Sequence, residues 1–130
     1  MCGFVGLINK KNNRRSNRAD GNSMLATIMH RGPDNNDFYY EDSQNLYLGH
    51  ERLKLIDLSD RASQPMKYDN LIIVYSGEIY NFKEIREELV KLGYTFHSDS
   101  DTEVLLKGWR KWKFGVLDKL RGIFSFAIYD

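Results

Sequence analysis

Residues 1–6 read Met-Cys-Gly-Phe-Val-Gly (MCGFVG), and they put the only cysteine of the chain directly behind the initiator methionine. A lone thiol is usually kept for its reactivity rather than for its packing. Removal of Met1, common ahead of a small residue, leaves Cys2 with a thiol and a free α-amine on one carbon. A free thiol is a few per cent thiolate near neutrality, and an α-amine titrating at about 7.7 to 8.0 has the basicity to take its proton. Such a residue attacks an electrophilic carbonyl and forms a thioester. Position alone also admits the plain alternative, that an arbitrary residue follows the initiator. Phe4, Val5, Leu7 and Ile8 spell a strand behind it, with Gly3 and Gly6 allowing close backbone approach, so the thiol stands at a strand end.

Further along, Ser23 is placed to cap a short helix carrying Met24, Leu25, Ile28 and Met29, which HRGPDN at 30–35 ends. FYY and LYLGH read as two strands joined through EDSQN, and RLKLIDLSDRASQPM as a mostly irregular stretch. The continuous apolar run LIIVY at 71–75 suits a strand covered on both faces. Asn81 with Glu84 three residues on has the capping-box spacing; Ile85, Leu89 and Leu92 then share a helix face that Gly93 can stop. After HSDSD, Val104, Leu105, Trp109 and Trp112 form a stripe at helical spacing, which reads as core rather than as a ligand platform. The last segment, GIFSFAIYD, alternates so that Phe124, Phe126 and Ile128 face one side of a half-buried strand. A strand so apolar needs a neighbour on its open edge, and continuation of the domain beyond Asp130, or a second chain, is expected to supply it.

The bulk numbers exclude several classes. With 130 residues the chain fits one domain that buries roughly two-thirds of its unfolded surface. At 42% hydrophobic and 28% charged, with two prolines, it is neither disordered nor a membrane protein. A net charge of +1 supplies no field for nucleic acid, and the basic residues of KKNNRRSNR, spaced by Asn and Ser, read as a solvated loop. One cysteine makes no internal disulfide, so a reducing, cytoplasmic compartment is expected. The run from Gly3 to Ile8 is too short for a secretory core and has no basic segment before it.

Other chemistries find little. His30, His50 and His97 could serve a cysteine protease as base, but none lies in a recognisable protease motif, and each reads singly as a structural hydrogen-bonder. No paired spacing suggests zinc, and HSDSDTE lacks the ligand and glycine spacing of a calcium loop, so a helix cap at Ser100 or Asp101 is the better reading. No metal site is expected.

Taken in order, MCGFVG, MHRGPDN, GHERLKLIDLS, SQPM, SGEIYN, SDSDTEV and LRGIFSFAIYD resemble the glutamine amidotransferase domain of the asparagine synthetase type, a class II amidotransferase with the N-terminal nucleophile hydrolase fold. The resemblance spans Met1 to Asp130. It implies an α+β fold, a four-layer sandwich of two antiparallel sheets flanked by helices, with Cys2 as nucleophile at the tip of the first strand. It also implies that residues 1–130 are the N-terminal part of the type-2 amidotransferase domain, C-terminally incomplete, and that an ammonia-using synthetase domain, absent here, follows. The substrate implied is L-glutamine, hydrolysed to glutamate and ammonia without a cofactor in this domain. ATP and Mg belong by the same resemblance to the synthetase domain, and a homodimer is among the assemblies it allows.

The same resemblance distributes roles along the chain. Arg52, otherwise an ordinary surface arginine, matches the residue that grips the substrate α-carboxylate through its planar fork, a geometry that Lys54 could not copy. Asp101 matches the acid that binds the α-ammonium, and its reading as a helix cap stands beside that. Main-chain groups of Leu53, Lys54, Leu55 and Ile56 line the pocket, with Gly77 and Glu78 approaching from the other side and the Gly77 N–H serving the oxyanion. One position departs from the family motif N-G-E-I-Y-N: Ser76 stands where an asparagine amide would supply a second oxyanion donor. Two outcomes are open, a working and slower glutaminase or a non-catalytic glutamine-binding or assembly module.

Overall fold

A computed structural model describes residues 1–8 and 17–130. Residues 10–16 of the basic stretch expected to be a solvated loop lie outside the described residues.

Two three-stranded antiparallel sheets form the centre. In the first, β3 (Leu46–Arg52) lies between β1 (Gly3–Ile8) and β2 (Asn35–Glu41); in the second, β5 (Leu71–Ile79) lies between β4 (Met66–Tyr68) and β6 (Gly122–Tyr129). β3 answers β1 from Gly3 opposite Glu51 to Ile8 opposite Leu46, and every residue of β3 is buried. The β2–β3 hairpin turns through Asp42 to Asn45, where the Asn45 N–H returns to the Asp42 carbonyl at 3.1 Å and Asn45 adopts φ 47°. Asn is one of the few residues that tolerate such a backbone.

The period of two along the strands sorts side chains into layers. Leu46 and Leu48 of β3, with Phe4 of β1, meet Ile72 and Val74 of β5 between the sheets. Val5 and Tyr47, on the opposite face, pack with Leu25 of α1 (Asn17–Thr27). Leu71, Ile73, Tyr75 and Ile79 turn outward from β5 to Ile85 and Leu89 of α2 (Phe82–Lys91) and Val104, Leu105 and Leu106 of α3 (Asp101–Trp112). The order is therefore helix, sheet, sheet, helices, the α+β sandwich that the resemblance implied. LIIVY is a continuous apolar run because both its faces are covered. Phe124, Phe126 and Ile128 of β6 pack toward α2 and α3, while Ala127 and Tyr129 pack between the sheets. Trp109 and Trp112 lie against the same helix-side core.

Two local expectations need correction. α1 begins six residues before Ser23, whose hydroxyl donates to the Ala19 carbonyl at 3.0 Å from inside the helix and caps nothing. Asn81 stands at the N-cap of α2 but makes no capping bond. Its amide instead donates to the Lys119 carbonyl at 2.8 Å and accepts from Arg121 N–H at 2.9 Å, fastening the approach to β6. The stretch from Arg52 to Met66 is mostly irregular, as its sequence reads: only the last residue of β3, a 3-10 turn at Asp60–Ala62 and the first residue of β4 are regular.

Two helix ends follow their sequence cues. Gly93, at φ 93°, ends α2: its N–H bonds the Val90 carbonyl and that of Tyr94 the Leu89 carbonyl, a Schellman closure. Ser100 caps α3 by accepting the Glu103 N–H.

A histidine lies in line with the inter-sheet layer. His50 continues the row of Leu46 and Leu48 and is fully buried, its Nε2 3.0 Å from the Tyr75 carbonyl. That acceptor assigns the proton to Nε2 and leaves Nδ1 without a partner among the described residues. Burial pushes its pKa down to about 4, the nearby Arg52 charge adding to the effect and the Tyr75 carbonyl opposing it. Because the folded value lies below that of an exposed histidine, the unfolded chain takes up the proton first, and stability present above about pH 6.5 is lost as pH falls toward 4. Denaturant titrations at pH 7 and pH 4.5 are expected to differ through this residue by on the order of 2 kcal/mol, a component absent from a His50→Gln variant. An unchanged pH dependence in that variant contradicts the assignment.

Candidate active site

The site forms where the inter-sheet layer opens. By the parity of the strands, Cys2 lies in line with Phe4, Arg52 with His50, and Ser76 with Val74, so the same rows that build the inter-sheet core end at one cleft. A cleft open to solvent is lined by Met1, Cys2, Arg52, Leu53, Tyr75 and Asp101, among others.

Cys2 is half-buried, and its sulfur engages the backbone of one residue: the Leu53 N–H donates to Sγ at 3.2 Å and the thiol donates to the Leu53 carbonyl at 3.4 Å. Its own carbonyl accepts from the Ser76 hydroxyl at 2.7 Å and from Arg31 Nε at 3.2 Å. Leu53 is itself held in place. The neighbouring Lys54 N–H donates to Asp34 Oδ2 at 2.8 Å, and the Asp34 N–H to the Arg52 carbonyl at 3.1 Å. The HRGPDN segment thus braces both the Cys2 backbone and the strand end facing it, a role its turn residues alone do not announce.

Arg52 is 5% exposed. Nη1 donates to the Ser59 carbonyl at 2.8 Å and the Ser63 hydroxyl at 3.4 Å, and Nη2 to the Asp57 carbonyl at 2.5 Å. A guanidinium has five N–H donors. These bonds leave Nε–H and one Nη2–H, the side-on pair suited to a carboxylate.

Asp101, also 5% exposed, opens α3 and points one oxygen inward: Oδ2 accepts from the Tyr75 hydroxyl at 2.6 Å and the Ile79 N–H at 3.0 Å. Burial raises its pKa against those hydrogen bonds, which favour the charged form. The loop before it is pinned from below. Glu103 accepts from the N–H groups of His97 and Ser98 and from the Ser98 hydroxyl, and it pairs with buried Lys107 at 2.6 Å. Burial works against ionisation of Glu103, but the Lys107 ammonium and the Ser98 and His97 donors hold its carboxyl below the ordinary range.

Gly77 lines the cleft at φ 146°, with a Cβ there falling 2.2 Å from the Ile123 carbonyl oxygen. Only glycine fits, because both the backbone angle and the close approach of β6 refuse a side chain. Glu78, Leu55 and Ile56 line the cleft from exposed positions.

Two of the candidate residues point elsewhere. Lys54 turns its ammonium to Asp60 at 3.0 Å, and Ser76 spends its hydroxyl on the Cys2 carbonyl; neither lines the cleft. Conversely, Gln64, Tyr75 and Asp57 line it without having been singled out. Gln64 accepts the Tyr75 N–H at 2.6 Å and donates to the Thr102 hydroxyl at 3.2 Å, tying β5 to α3. Its only signal was membership of SQPM. Tyr75 was hidden as the last residue of an apolar run.

Among the described residues, no group of three or more His, Cys, Asp or Glu side chains is arranged to hold a metal ion, and no helix is long and apolar enough to cross a membrane.

The profile of the glutamine amidotransferase domain family matches residues 1–130. The chain is 41% identical over 136 residues to the glutamine-hydrolyzing asparagine synthetase 1 of Bacillus subtilis, an alignment covering all of this chain and 21% of that protein. With a putative glutamine-hydrolyzing asparagine synthetase 2 of Methanocaldococcus jannaschii it shares 34% identity, covering all of this chain and 28% of the relative. A fungal protein, the amidase chry2 of Gibberella zeae, is 29% identical, again over the whole of this chain and 21% of its own length. The chain thus spans between about a fifth and just over a quarter of the curated relatives it matches. A family profile matched from end to end, on a two-sheet sandwich whose first strand carries a cysteine into the cleft, leaves one assignment: the chain belongs to the glutamine amidotransferase domain family, in the form carried by asparagine synthetases.

Proposed function

We propose that this chain hydrolyses L-glutamine to glutamate and ammonia through a thioester on Cys2, supplying ammonia to an amide-forming synthetase domain of the same protein, where ATP and Mg act. The observation that carries the reading is the convergence of Cys2, Arg52 and Asp101 on one cleft. The cleft offers a nucleophile, a free guanidinium fork and a carboxylate, and glutamine presents an amide, a carboxylate and an ammonium to match.

In this reading, removal of Met1 frees the Cys2 amine, which takes the thiol proton. Sulfur then adds to the side-chain amide carbon, and the carbonyl oxygen becomes an oxyanion facing the Gly77 N–H. Collapse of the adduct breaks the C–N bond, the amine returning its proton to the departing nitrogen as ammonia. Water, deprotonated by the same amine, attacks the thioester and releases glutamate and the thiol. The Leu53 N–H, donating to Sγ at 3.2 Å, holds the sulfur at the cleft. Release of ammonia and glutamate by the Met1-processed protein, with one equivalent of a diazoketone analogue of glutamine captured on Cys2, is the expected result. Labelling elsewhere, or none, rejects the reading.

A second reading, a glutamine-binding module with weakened chemistry, is favoured by one bond. The Ser76 hydroxyl is turned onto the Cys2 carbonyl, away from the oxyanion position. Loss of one oxyanion donor costs about 10²- to 10³-fold in rate, or roughly 3 to 4 kcal/mol. Ser76→Asn restores an amide of longer reach, and the Cys2 carbonyl keeps its Arg31 partner. That variant is expected to raise kcat by about 10-fold or more with little change in KM. Unaltered kcat in steady-state ammonia release means that another group already fills the role.

A further inference from the structure

We infer that Asp57 is a positioning residue that fixes the spacing between Arg52 and Asp101, and thereby selects ligands bearing a carboxylate and an ammonium on one carbon. The inference rests on the glutamine reading above and assigns its headgroup selectivity to a residue outside the proposed contacts.

The two walls of the cleft differ in how they are held. The 97–100 loop, which delivers Asp101, is pinned by Glu103, by the Ser100 cap, and by Arg86, which donates to the Ser98 carbonyl at 2.8 Å. The segment after Arg52 has no such anchorage in the core, since Leu55, Ile56 and Leu58 are 56%, 42% and 69% exposed. Two side chains tie it to the other wall: Gln64, which donates to the Thr102 hydroxyl at 3.2 Å, and, beside the guanidinium, the Asp57 carboxylate. One oxygen accepts the Ser59 N–H at 2.8 Å and closes the loop on itself; the other accepts the Asp99 N–H at 2.8 Å, across 42 residues of chain. The carbonyl of the same residue accepts from Arg52 Nη2, and that of Ser59 from Nη1. A continuous set of bonds therefore runs from the guanidinium through the Asp57 backbone and carboxylate to Asp99, two residues before Asp101. Burial disfavours the Asp57 charge, but the Ser59 and Asp99 donors and the Arg52 charge hold its carboxyl below the ordinary range, so both bonds remain charge-assisted through the neutral range.

A carboxylate and an ammonium on one carbon are recognised bidentately only if the two walls keep a set distance, and small misplacements of such clamps are costly. Cutting the strap should therefore weaken the grip on the headgroup and leave the thiol itself undisturbed. The test uses the Met1-processed full-length protein and two Cys2 reagents, iodoacetamide, which has no amino-acid headgroup, and the diazoketone analogue of glutamine, which does. Asp57→Ala is expected to slow capture of the analogue by about 10- to 100-fold and to raise the glutamine KM similarly, the effect falling far more on KM than on kcat, with iodoacetamide capture unaltered. Asp57→Asn, which keeps one acceptor oxygen, should lie between. Retention of the wild-type preference for the analogue in Asp57→Ala overturns the strap alone, as does an equal loss toward both reagents. Absence of any preference in the wild-type protein overturns the glutamine reading and the strap with it.

Discussion

Replacing Cys2 with alanine is expected to lower the proposed glutamine hydrolysis by roughly 10⁴-fold or more, because the proposed thioester needs the chain's one thiol and water would then have to attack the amide unaided. The fold is expected to survive the change. Among the described residues the hydrogen bonds of Sγ go to the Leu53 backbone, at 3.2 and 3.4 Å, whereas the anchors from Ser76 and Arg31 are made to the Cys2 main-chain carbonyl and persist in alanine. Ammonia release, read beside near-UV circular dichroism, separates lost chemistry from lost structure. Wild-type turnover in Cys2→Ala rejects the mechanism outright. The state of the N-terminus bears on the same result: while Met1 remains, the nitrogen of Cys2 is an amide and cannot act as base. Activity is therefore expected to scale with the fraction of chains whose mass shows Met1 removed.

Asp101→Asn is expected to raise the glutamine KM by about 10²-fold or more, with kcat less affected. The substitution is nearly isosteric. Its amide oxygen can still accept from Tyr75 and Ile79, which in the native chain share one carboxylate oxygen at 2.6 and 3.0 Å. What disappears is the negative charge proposed to face the ligand ammonium. Because burial raises the native carboxyl's pKa, its charge is lost earlier on acidification than that of an exposed aspartate, and KM should climb on the acid side. Asp101→Asn should show a high KM without that acidic limb. Initial-rate measurements across the acid range decide it, and a KM close to wild type, or an unchanged limb, removes Asp101 from the proposed headgroup site.

Some of this was legible residue by residue. LIIVY reads as a strand buried on both faces because unbroken apolarity leaves no polar face to solvate, and the sheets do cover it. Ser100 reads as a cap because a small hydroxyl precedes an apolar stripe of period 3.6, and its acceptor bond is local. Where a side chain had a distant competitor, local rules failed. Asn81 has the spacing of a capping box, yet the chain entering β6 brings a carbonyl and an N–H within its reach, and those win. Ser23 sits inside α1 because the turn before it also packs: Gly21 lies against the Tyr47 ring and Asn22 accepts the Tyr47 hydroxyl at 2.8 Å, so tertiary contacts hold the helix upstream of the place where propensity would start it.

By itself the sequence determined most strands and helices, and its ordered motifs from MCGFVG to LRGIFSFAIYD the family whose fold implied the layers, because strand parity, helix period and short motifs are properties of neighbours along the chain. The tertiary structure alone decided where the polar side chains around the cleft spend their hydrogen bonds: Ser76 on the Cys2 carbonyl, Gln64 between β5 and α3, Asp57 across to Asp99. The physical reason is range. Apolar burial is non-directional and accumulates over periodic neighbours, so its pattern is written locally, whereas a hydrogen bond needs one partner at about 3 Å, and here the partners arrive from 11 to 74 residues away.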